Sequence, residues 1–270
     1  MSTASAPIEI GHVALTVNDL AAMQGFYQSV LGLEPLASDG TAVSLGASGR
    51  VLLELRPDPA ARHSSPREAG LFHTAFLMPG RAALAKWLIH AAASGVQLQG
   101  ASDHLVSEAI YLSDPEGNGI EVYADRPRTK WHTADGSIKM ATEALDLNAL
   151  AKAADGPWQG APEAAVVGHV HLQVGDVPRA EAFWRDQIGM AVMVHYPGAS
   201  FFGSGGYHHH IAGNIWNSRG AGSRTLPATG LAELVLRADP AEYQAIVAGA
   251  GSANLTDPWG TPVTVLAKAA

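Results

Sequence analysis

The side chains of this sequence that could bind a metal ion or move protons are histidines and carboxylates. The chain has 270 residues, with 12 histidines and no cysteine. Disulfides, thiolate zinc sites, cysteine-bound iron–sulfur clusters and cysteine nucleophiles are therefore excluded. Three of the histidines are consecutive, at 208–210, and two others, His12 and His169, each follow a glycine in an apolar stretch. Any metal ion in this protein must be held by imidazole and carboxylate groups.

His12 and His169 belong to an internal repeat. Residues 11–19 (Gly-His-Val-Ala-Leu-Thr-Val-Asn-Asp) return as residues 168–176 (Gly-His-Val-His-Leu-Gln-Val-Gly-Asp), and the same offset relates Phe26 to Phe183. Each copy starts with alternating apolar residues, which predict a strand, and ends on an aspartate that can cap a following helix. The chain is therefore predicted to contain a duplicated unit that begins with a strand and a helix.

Two further stretches begin with a similar apolar strand and helix, and both end in an Asp-Pro turn before a final strand. The chain is accordingly predicted to have an α+β fold of four βαβββ-like modules, at residues 8–57, 70–125, 166–217 and 229–267. The first and second pairs of modules are predicted to form two domains, covering residues 8–125 and 166–268. The segment 126–165, rich in Ala, Asp, Gly and Thr, is predicted to connect them, with a short helix within 145–154.

Composition limits the classes of function. Hydrophobic residues make up 47% of the chain and charged residues 16%, which is typical of a globular protein. A net charge of -8, with only 17 Lys and Arg and no basic run, argues against nucleic-acid or lipid-surface partners. The start of the sequence lacks the features of a signal peptide, and no apolar stretch approaches membrane-spanning length. We expect a cytoplasmic protein.

The repeated motif resembles a known superfamily. Residues 11–19, and the Asp-Pro-Glu-Gly-Asn-Gly-Ile-Glu of residues 114–121, look like the vicinal oxygen chelate superfamily. This superfamily includes glyoxalase I, antibiotic-resistance binding proteins and extradiol ring-cleavage dioxygenases, and the resemblance covers nearly the whole chain. It implies that the four modules pair into two curved, partly closed sheets, with metal ligands on the first and last strands of modules.

Mapped residue by residue, the resemblance places metal ligands at His73 and Glu121 of module two. Module four has Glu233 and Thr264 at the matching positions and has lost its ligands. Two imidazoles and one carboxylate leave adjacent coordination positions open, which suits Fe(II) that binds both oxygens of a catechol and also admits O2. We expect Fe(II), or Mn(II), as the cofactor.

The third ligand depends on which module is the partner of module two. Chain order favours module one, which would supply His12, with Glu54 as a possible fourth ligand. That set would equally suit glyoxalase-like chemistry. Module three would supply His169, and this pairing brings together every feature that resembles an extradiol site. We predict that His73, Glu121 and His169 hold the metal.

The candidate catalytic residues come from the same resemblance. The extradiol pattern has a tyrosine ten residues before the metal-binding glutamate, here Tyr111, and a histidine further upstream, here His104. Residues 207–212 (Tyr-His-His-His-Ile-Ala) resemble the strand that carries an acid/base histidine before an apolar pair, which indicates His209 and leaves its two histidine neighbours as alternatives. His209 would move protons, while Tyr111 and His104 would orient the substrate.

Three classes of function remain open at this point. An extradiol dioxygenase acting on a catechol-type substrate with O2 is the interpretation that we favour. A glyoxalase-like metal-dependent isomerase or lyase is the second, and a metal-free small-molecule-binding protein is the third. We expect no nucleic-acid or membrane partner, and we expect a homo-oligomer, because exposed sheet edges in this superfamily often pair.

Overall fold

The computed structural model describes residues 2–269, which form sixteen strands and five α-helices. The strands are β1 (Ile8–Val17), β2 (Glu34–Ser38), β3 (Val43–Ala47), β4 (Arg50–Pro57), β5 (Gly70–Leu77), β6 (Gly100–Asp103), β7 (Ser107–Ser113), β8 (Gly119–Asp125), β9 (Glu143–Ala144), β10 (Val166–Gln173), β11 (Ala191–Tyr196), β12 (Ala199–Gly203), β13 (Ile211–Asn214), β14 (Gly230–Ala238), β15 (Asn254–Thr256) and β16 (Pro262–Ala267). The helices are α1 (Leu20–Leu31), α2 (Arg81–Ala93), α3 (Leu147–Ala151), α4 (Val177–Glu181) and α5 (Pro240–Ala250). No helix within residues 2–269 is long and apolar enough to cross a membrane.

The strands form two curved mixed sheets. The first sheet has the order β15-β16-β14-β1-β4-β3-β2, and the second sheet has the order β11-β12-β13-β10-β5-β8-β7-β6-β9. Near the middle of each sheet, first strands of two modules pair antiparallel, β1 with β14 and β10 with β5. The predicted α+β fold, with four modules in two curved, partly closed sheets, is confirmed.

Each sheet combines modules from both halves of the sequence. The first sheet contains modules one and four, and the second sheet contains modules two and three. This pairing of module two with module three is the one for which the sequence predicts His169, and not His12, beside His73. The division into domains at residues 8–125 and 166–268, with a connection at 126–165, stays a prediction.

Strand alternation determines which side chains of β10 face the site. Val170 and Leu172 belong to the main hydrophobic core, which also contains Val13 and Leu15 of β1. Because successive side chains of a strand point to opposite faces, the histidines on β10 lie on the other face. The apolar residues of this strand thus anchor it in the core, and its histidines are left to face the concave side of the second sheet.

Aspartate caps start the helices that follow the two copies of the repeat. The Asp19 carboxylate accepts a hydrogen bond from the backbone N–H of Ala22, and Asp176 accepts one from Arg179. Helix α1 ends at Gly32, whose φ of 67° is left-handed. In the second copy, α4 is only five residues long and continues as a π-helical segment over Ala182–Gln187.

The segment 126–165 does more than connect the two halves. Its two-residue strand β9 pairs with β6 and extends the second sheet, and its Trp131 is fully buried. The short helix expected within 145–154 is present as α3. This segment therefore packs along the outer edge of the second sheet, close to the concave side where the candidate site lies.

Candidate active site

Three side chains from adjacent strands of the second sheet converge at one point. His73 lies on β5, between Glu121 on β8 and His169 on β10. The Nε2 atom of His73 is 3.0 Å from Oε2 of Glu121, and Nε2 of His169 is 3.3 Å from the same oxygen. The two Nε2 atoms are 3.3 Å apart. Among residues 2–269 this is the one group of three such ligand atoms that lie close enough together to hold a metal ion.

These distances fit a divalent ion. Imidazole nitrogens and carboxylate oxygens bind such ions at roughly 2.1 Å, so two ligands at a right angle are about 3.0 Å apart. The three separations in the site, 3.0 Å, 3.3 Å and 3.3 Å, lie at or slightly above this value. Two histidines and a carboxylate on one face are the donor set of non-haem Fe(II) oxygenases. The residues present therefore fit an ion with open positions on the cavity side.

The protonation states of the ligands also suit metal binding. Burial alone would raise the pKa of Glu121, but the charges and hydrogen bonds of His169 and His73 hold this pKa well below its usual value. Burial lowers the pKa of His169 to about 4. At neutral pH the site thus presents a carboxylate and a neutral His169 ring, which are the forms that bind metal.

The three ligands open onto a cavity of about 300 Å³. This volume is at the lower end of the range for small-molecule pockets. Phe72, Phe201 and Trp216 form an aromatic wall, and Trp216, at 46% exposure, stands at the mouth. The space suits a small aromatic compound that lies between an apolar wall and the candidate metal ligands.

Tyr111 and His104 lie together on the cavity wall beside the ligands. Tyr111 is directly opposite Glu121 in the pairing of β7 with β8. The Nδ1–H of His104 donates to the carbonyl oxygen of Ala141 at 2.7 Å, so Nε2 of a neutral His104 ring accepts from the Tyr111 hydroxyl at 2.5 Å. Burial, reinforced by Glu121, raises the pKa of Tyr111 well above its usual value. The phenol therefore stays protonated and can donate a hydrogen bond.

The three consecutive histidines have three different surroundings. His209 lines the cavity, and its ring centroid is 4.2 Å from that of His169. His208 points to the Asp125 carboxylate at 2.9 Å, while Nε2 of His210 lies 2.8 Å from the carbonyl oxygen of Ala4. All three precede β13, so strand alternation does not select His209; the bend of the chain in front of that strand does.

The structure does not bring His12 or Glu54 to the candidate metal ligands of module two. Both lie in the first sheet, on β1 and β4. The Glu54 carboxylate accepts a hydrogen bond from Nε of Arg56 at 2.6 Å, and the same guanidinium binds Glu233 at 2.6 Å. A cationic side chain of the protein thus occupies the first sheet between these two carboxylates.

Several cavity residues carried no motif that would identify them. The connecting segment contributes residues 140–142, and Phe72, Phe201 and Trp216 come from three different parts of the chain. His171 lines the cavity two residues after His169; the residue is 4% exposed, and within residues 2–269 its Nε2 has no hydrogen-bond partner. The sequence could indicate His171, because it shares a strand face with His169. The other cavity residues meet through tertiary packing, which the sequence does not show.

Comparisons with known proteins agree with this geometry. The family model described as Glyoxalase/Bleomycin resistance protein/Dioxygenase superfamily matches residues 9–122 and 166–258. A protein of Bacillus subtilis named catechol-2,3-dioxygenase is 41% identical over 228 residues, which cover 82% of this chain and 80% of the relative.

Solved structures of low sequence identity share the fold. A putative dioxygenase from Bacillus subtilis has a TM-score of 0.63 at 13% identity, with 96% of this chain and 84% of the other chain covered. Glyoxalase I from Zea mays has a TM-score of 0.59 at 14% identity, with 96% and 92% covered. At these identities the likeness concerns the fold alone, so the reaction must be argued from the site.

Proposed function

The chain belongs to the glyoxalase/bleomycin resistance protein/dioxygenase superfamily, and from this membership we propose that it is an extradiol dioxygenase that opens a catechol-type ring with O2. The observation that carries the proposal is the convergence of His73, Glu121 and His169 beside a cavity that also contains Tyr111 and His209. The similarity to a catechol-2,3-dioxygenase over most of the chain supports the same reaction.

We propose that His73, Glu121 and His169 hold Fe(II), with Mn(II) as the other ion that the donor set suits. When bound, such an ion supplies adjacent positions for the two catechol oxygens and for O2, and it acidifies a catechol hydroxyl. The buried carboxylate and the two imidazoles leave the cavity side of the site free for these guests.

The remaining cavity residues orient the substrate and handle its protons. Tyr111 and His104 form one hydrogen-bonded pair beside Glu121, and the phenol oxygen of Tyr111 can accept a hydrogen bond from a substrate hydroxyl. His209 lies against His169 and can hold or move a proton at the ring nitrogen that faces the cavity. The aromatic wall of Phe72, Phe201 and Trp216 packs against the substrate ring and limits its orientation.

Glyoxalase-like chemistry is not favoured, because the ligands that it needs are apart. His12 and Glu54 lie in the first sheet, where Glu54 is bound to Arg56. A metal-free binding role is not favoured by the spacing of the three ligand atoms at 3.0–3.3 Å. The expectations of a homo-oligomer and a cytoplasmic location remain predictions from the sequence.

Reconstitution under anaerobic conditions tests the function. Protein purified without a His tag is loaded with Fe(II), and in a parallel sample with Mn(II), and then given a panel of catechols and O2. We expect O2 consumption together with the yellow colour of the ring-fission product. A loaded protein that consumes no O2 with any catechol, or that turns over a hemithioacetal with nickel or zinc, would contradict the proposal.

A matched pair of glutamates tests the metal site separately. Glu121→Gln removes a ligand of the second sheet, whereas Glu54→Gln changes the corresponding last-strand residue of the first sheet. After dialysis with Fe(II), we expect Glu121→Gln to retain at least about tenfold less iron than the wild type, since even residues behind the ligands change metal affinity by about 10–100-fold. Glu54→Gln should retain wild-type iron. Equal iron in both variants would remove Glu121 from the site.

A further inference from the structure

A chain of hydrogen bonds leads from the cavity into the protein through two neighbouring histidines. The Nδ1 atoms of His209 and His208 are 2.8 Å apart. On its other side, Nε2 of His208 lies 2.9 Å from Oδ1 of Asp125. The side chains of His208 and Asp125 are 0% and 2% exposed, and His209 is buried apart from the face that lines the cavity. Water therefore does not compete for these bonds.

The chemistry of the end groups sets the direction of each bond. A carboxylate only accepts, so Nε2 of His208 must carry the hydrogen that is shared with Asp125. The hydroxyl of Thr3 also donates to Asp125, which agrees with an acceptor at this place. In a neutral His208 ring, Nδ1 is then without hydrogen and accepts from Nδ1–H of His209. Nε2 of His209 then carries no hydrogen.

We propose that Asp125 and His208 are positioning residues that fix the tautomer of His209, so that its Nε2 offers a lone pair to the cavity. This inference rests on the proposed function, in which His209 holds or moves a proton at the ring nitrogen that faces the cavity. Within residues 2–269, Nε2 of His209 has no protein hydrogen-bond partner of its own. Asp125 and His208 do not line the cavity, and the hydrogen bond to Nδ1 of His209 links them to it.

The tautomer of His209 decides whether its Nε2 can receive a proton from the cavity. The ring of His209 is buried, and its Nδ1 makes a hydrogen bond to Nδ1 of His208. A neutral imidazole offers either a lone pair or an N–H at a given nitrogen, and the partner of the other nitrogen decides which. With Nδ1 as donor, His209 is ready to receive a proton; with the opposite tautomer it is not.

His210 provides the internal contrast. It belongs to the same segment and is fully buried, but Nε2 of its ring donates to the carbonyl oxygen of Ala4, and Nδ1 accepts from the backbone N–H of Ser204 at 3.3 Å. Neither contact leads to the cavity. A change at His210 therefore perturbs the same stretch of chain without touching the bonds from Asp125 to His209.

The first variant is Asp125→Asn, read by NMR in metal-free protein with ¹⁵N-labelled histidine. In the wild type we expect the ring shifts of His209 to show hydrogen on Nδ1 and none on Nε2. In Asp125→Asn the new side-chain amide can donate N–H to Nε2 of His208, which reverses both rings and places the hydrogen of His209 on Nε2. His210→Gln should leave the wild-type pattern of His209 unchanged.

The second readout is the kinetics of the iron-loaded variants. We expect Asp125→Asn to lower kcat by about 10²-fold or more, the range in which proton transfer by a side chain contributes, with KM and iron content within about threefold of the wild type. His208→Asn keeps an acceptor near the position of Nδ1 and should retain more kcat than His208→Leu. His210→Gln should keep the kcat of the wild type.

The outcomes separate this inference from the proposed function. The NMR measurement needs neither metal nor turnover, so it decides the tautomer even in a protein that cleaves no catechol. Wild-type His209 with hydrogen on Nε2, or Asp125→Asn with an unchanged His209 pattern, would overturn the inference. A loss of kcat in Asp125→Asn that is matched by an equal loss of iron would do the same, since Asp125 would then only support the fold around the ligands.

Discussion

At the scale of single residues, His171 is a buried imidazole with an unpaired nitrogen. Its Nε2 has no hydrogen-bond partner within residues 2–269, and its ring packs against Phe72, Trp216 and Phe201. An unsatisfied buried polar group costs about 1–3 kcal/mol. We expect His171→Leu to be more stable than the wild type, with a melting temperature higher by about 2–6 °C in metal-free protein, measured by calorimetry.

The matched control for this variant is His210→Leu. His210 is equally buried, but both of its ring nitrogens have partners. Its replacement leaves a carbonyl oxygen and a backbone N–H unpaired, so the melting temperature of His210→Leu should fall. A decrease of similar size in both variants would mean that His171 is held by interactions other than those of its ring nitrogens.

Six candidate site residues could be predicted from the resemblance of their motifs to the vicinal oxygen chelate superfamily. His73, His169 and Glu121 converge because each occupies a defined position on a first or last strand, and the geometry brings Tyr111, His104 and His209 to the same cavity. Their roles stay proposals. Asp125 could not be predicted as the partner of His208, because these residues meet only after two modules pair, and nothing in their local sequence reports that contact.

At the scale of elements, Arg56 lies in the first sheet, at the place that corresponds to the candidate metal ligands of the second sheet. Its guanidinium binds Glu54 of β4 and Glu233 of β14, and Thr264 of β16 donates a further hydrogen bond to Glu233. The two carboxylates would repel each other without this cation. Module four retains no ligand pair, and the arginine of module one offsets part of the charge of the two carboxylates.

Arg56→Met should therefore destabilise the first sheet and leave the candidate site intact. The Arg56 side chain is 39% exposed, so solvent weakens its ion pairs, and we expect a loss of about 1 kcal/mol, or about 2–4 °C in melting temperature. Calorimetry measures this change, and iron retention should equal that of the wild type. Arg185→Met, which breaks an exposed pair with Asp186, is the control and should not change the melting temperature. A melting temperature of Arg56→Met equal to that of the control would contradict this account.

The elements that the sequence predicted less well are those whose form depends on packing. The aspartate cap predicts the helix after Asp176, but this helix changes to a π-helix over Ala182–Gln187, whose buried Phe183 and Trp184 pack against the core. Local periodicity predicts that a helix forms there, but it does not predict that part of the helix takes the π form. Likewise, the strand β9 arises only because β6 offers it an edge.

At the scale of the whole molecule, the pairing of the modules is what assembles the site. The motifs repeat along the chain and so predict four similar units, yet the choice among their pairings depends on long-range contacts. The only guide in the sequence was chemical: the features of an extradiol site were complete when module two joined module three. The two sheets follow that pairing, β10 with β5 and β1 with β14.

This arrangement predicts how the two halves of the chain behave when separated. A break after Gly156, in an exposed stretch, leaves β1 and β5 in one fragment and their partners β14 and β10 in the other. Each fragment alone exposes two apolar sheet edges, which favours aggregation over folding. It also divides the ligands, with His73 and Glu121 in the first fragment and His169 in the second.

We expect neither fragment, 1–156 or 157–270, to unfold cooperatively or to retain iron on its own, whereas the two expressed together should form a complex that retains iron. Thermal unfolding followed by circular dichroism, and iron analysis after dialysis, measure both properties. If fragment 1–156 instead unfolds cooperatively by itself, the sequence halves are domains in the sense first predicted at 8–125 and 166–268. In that case the contacts across the two sheets would be an interface between folded units, and the candidate site would lie within that interface because His169 would come from the second unit.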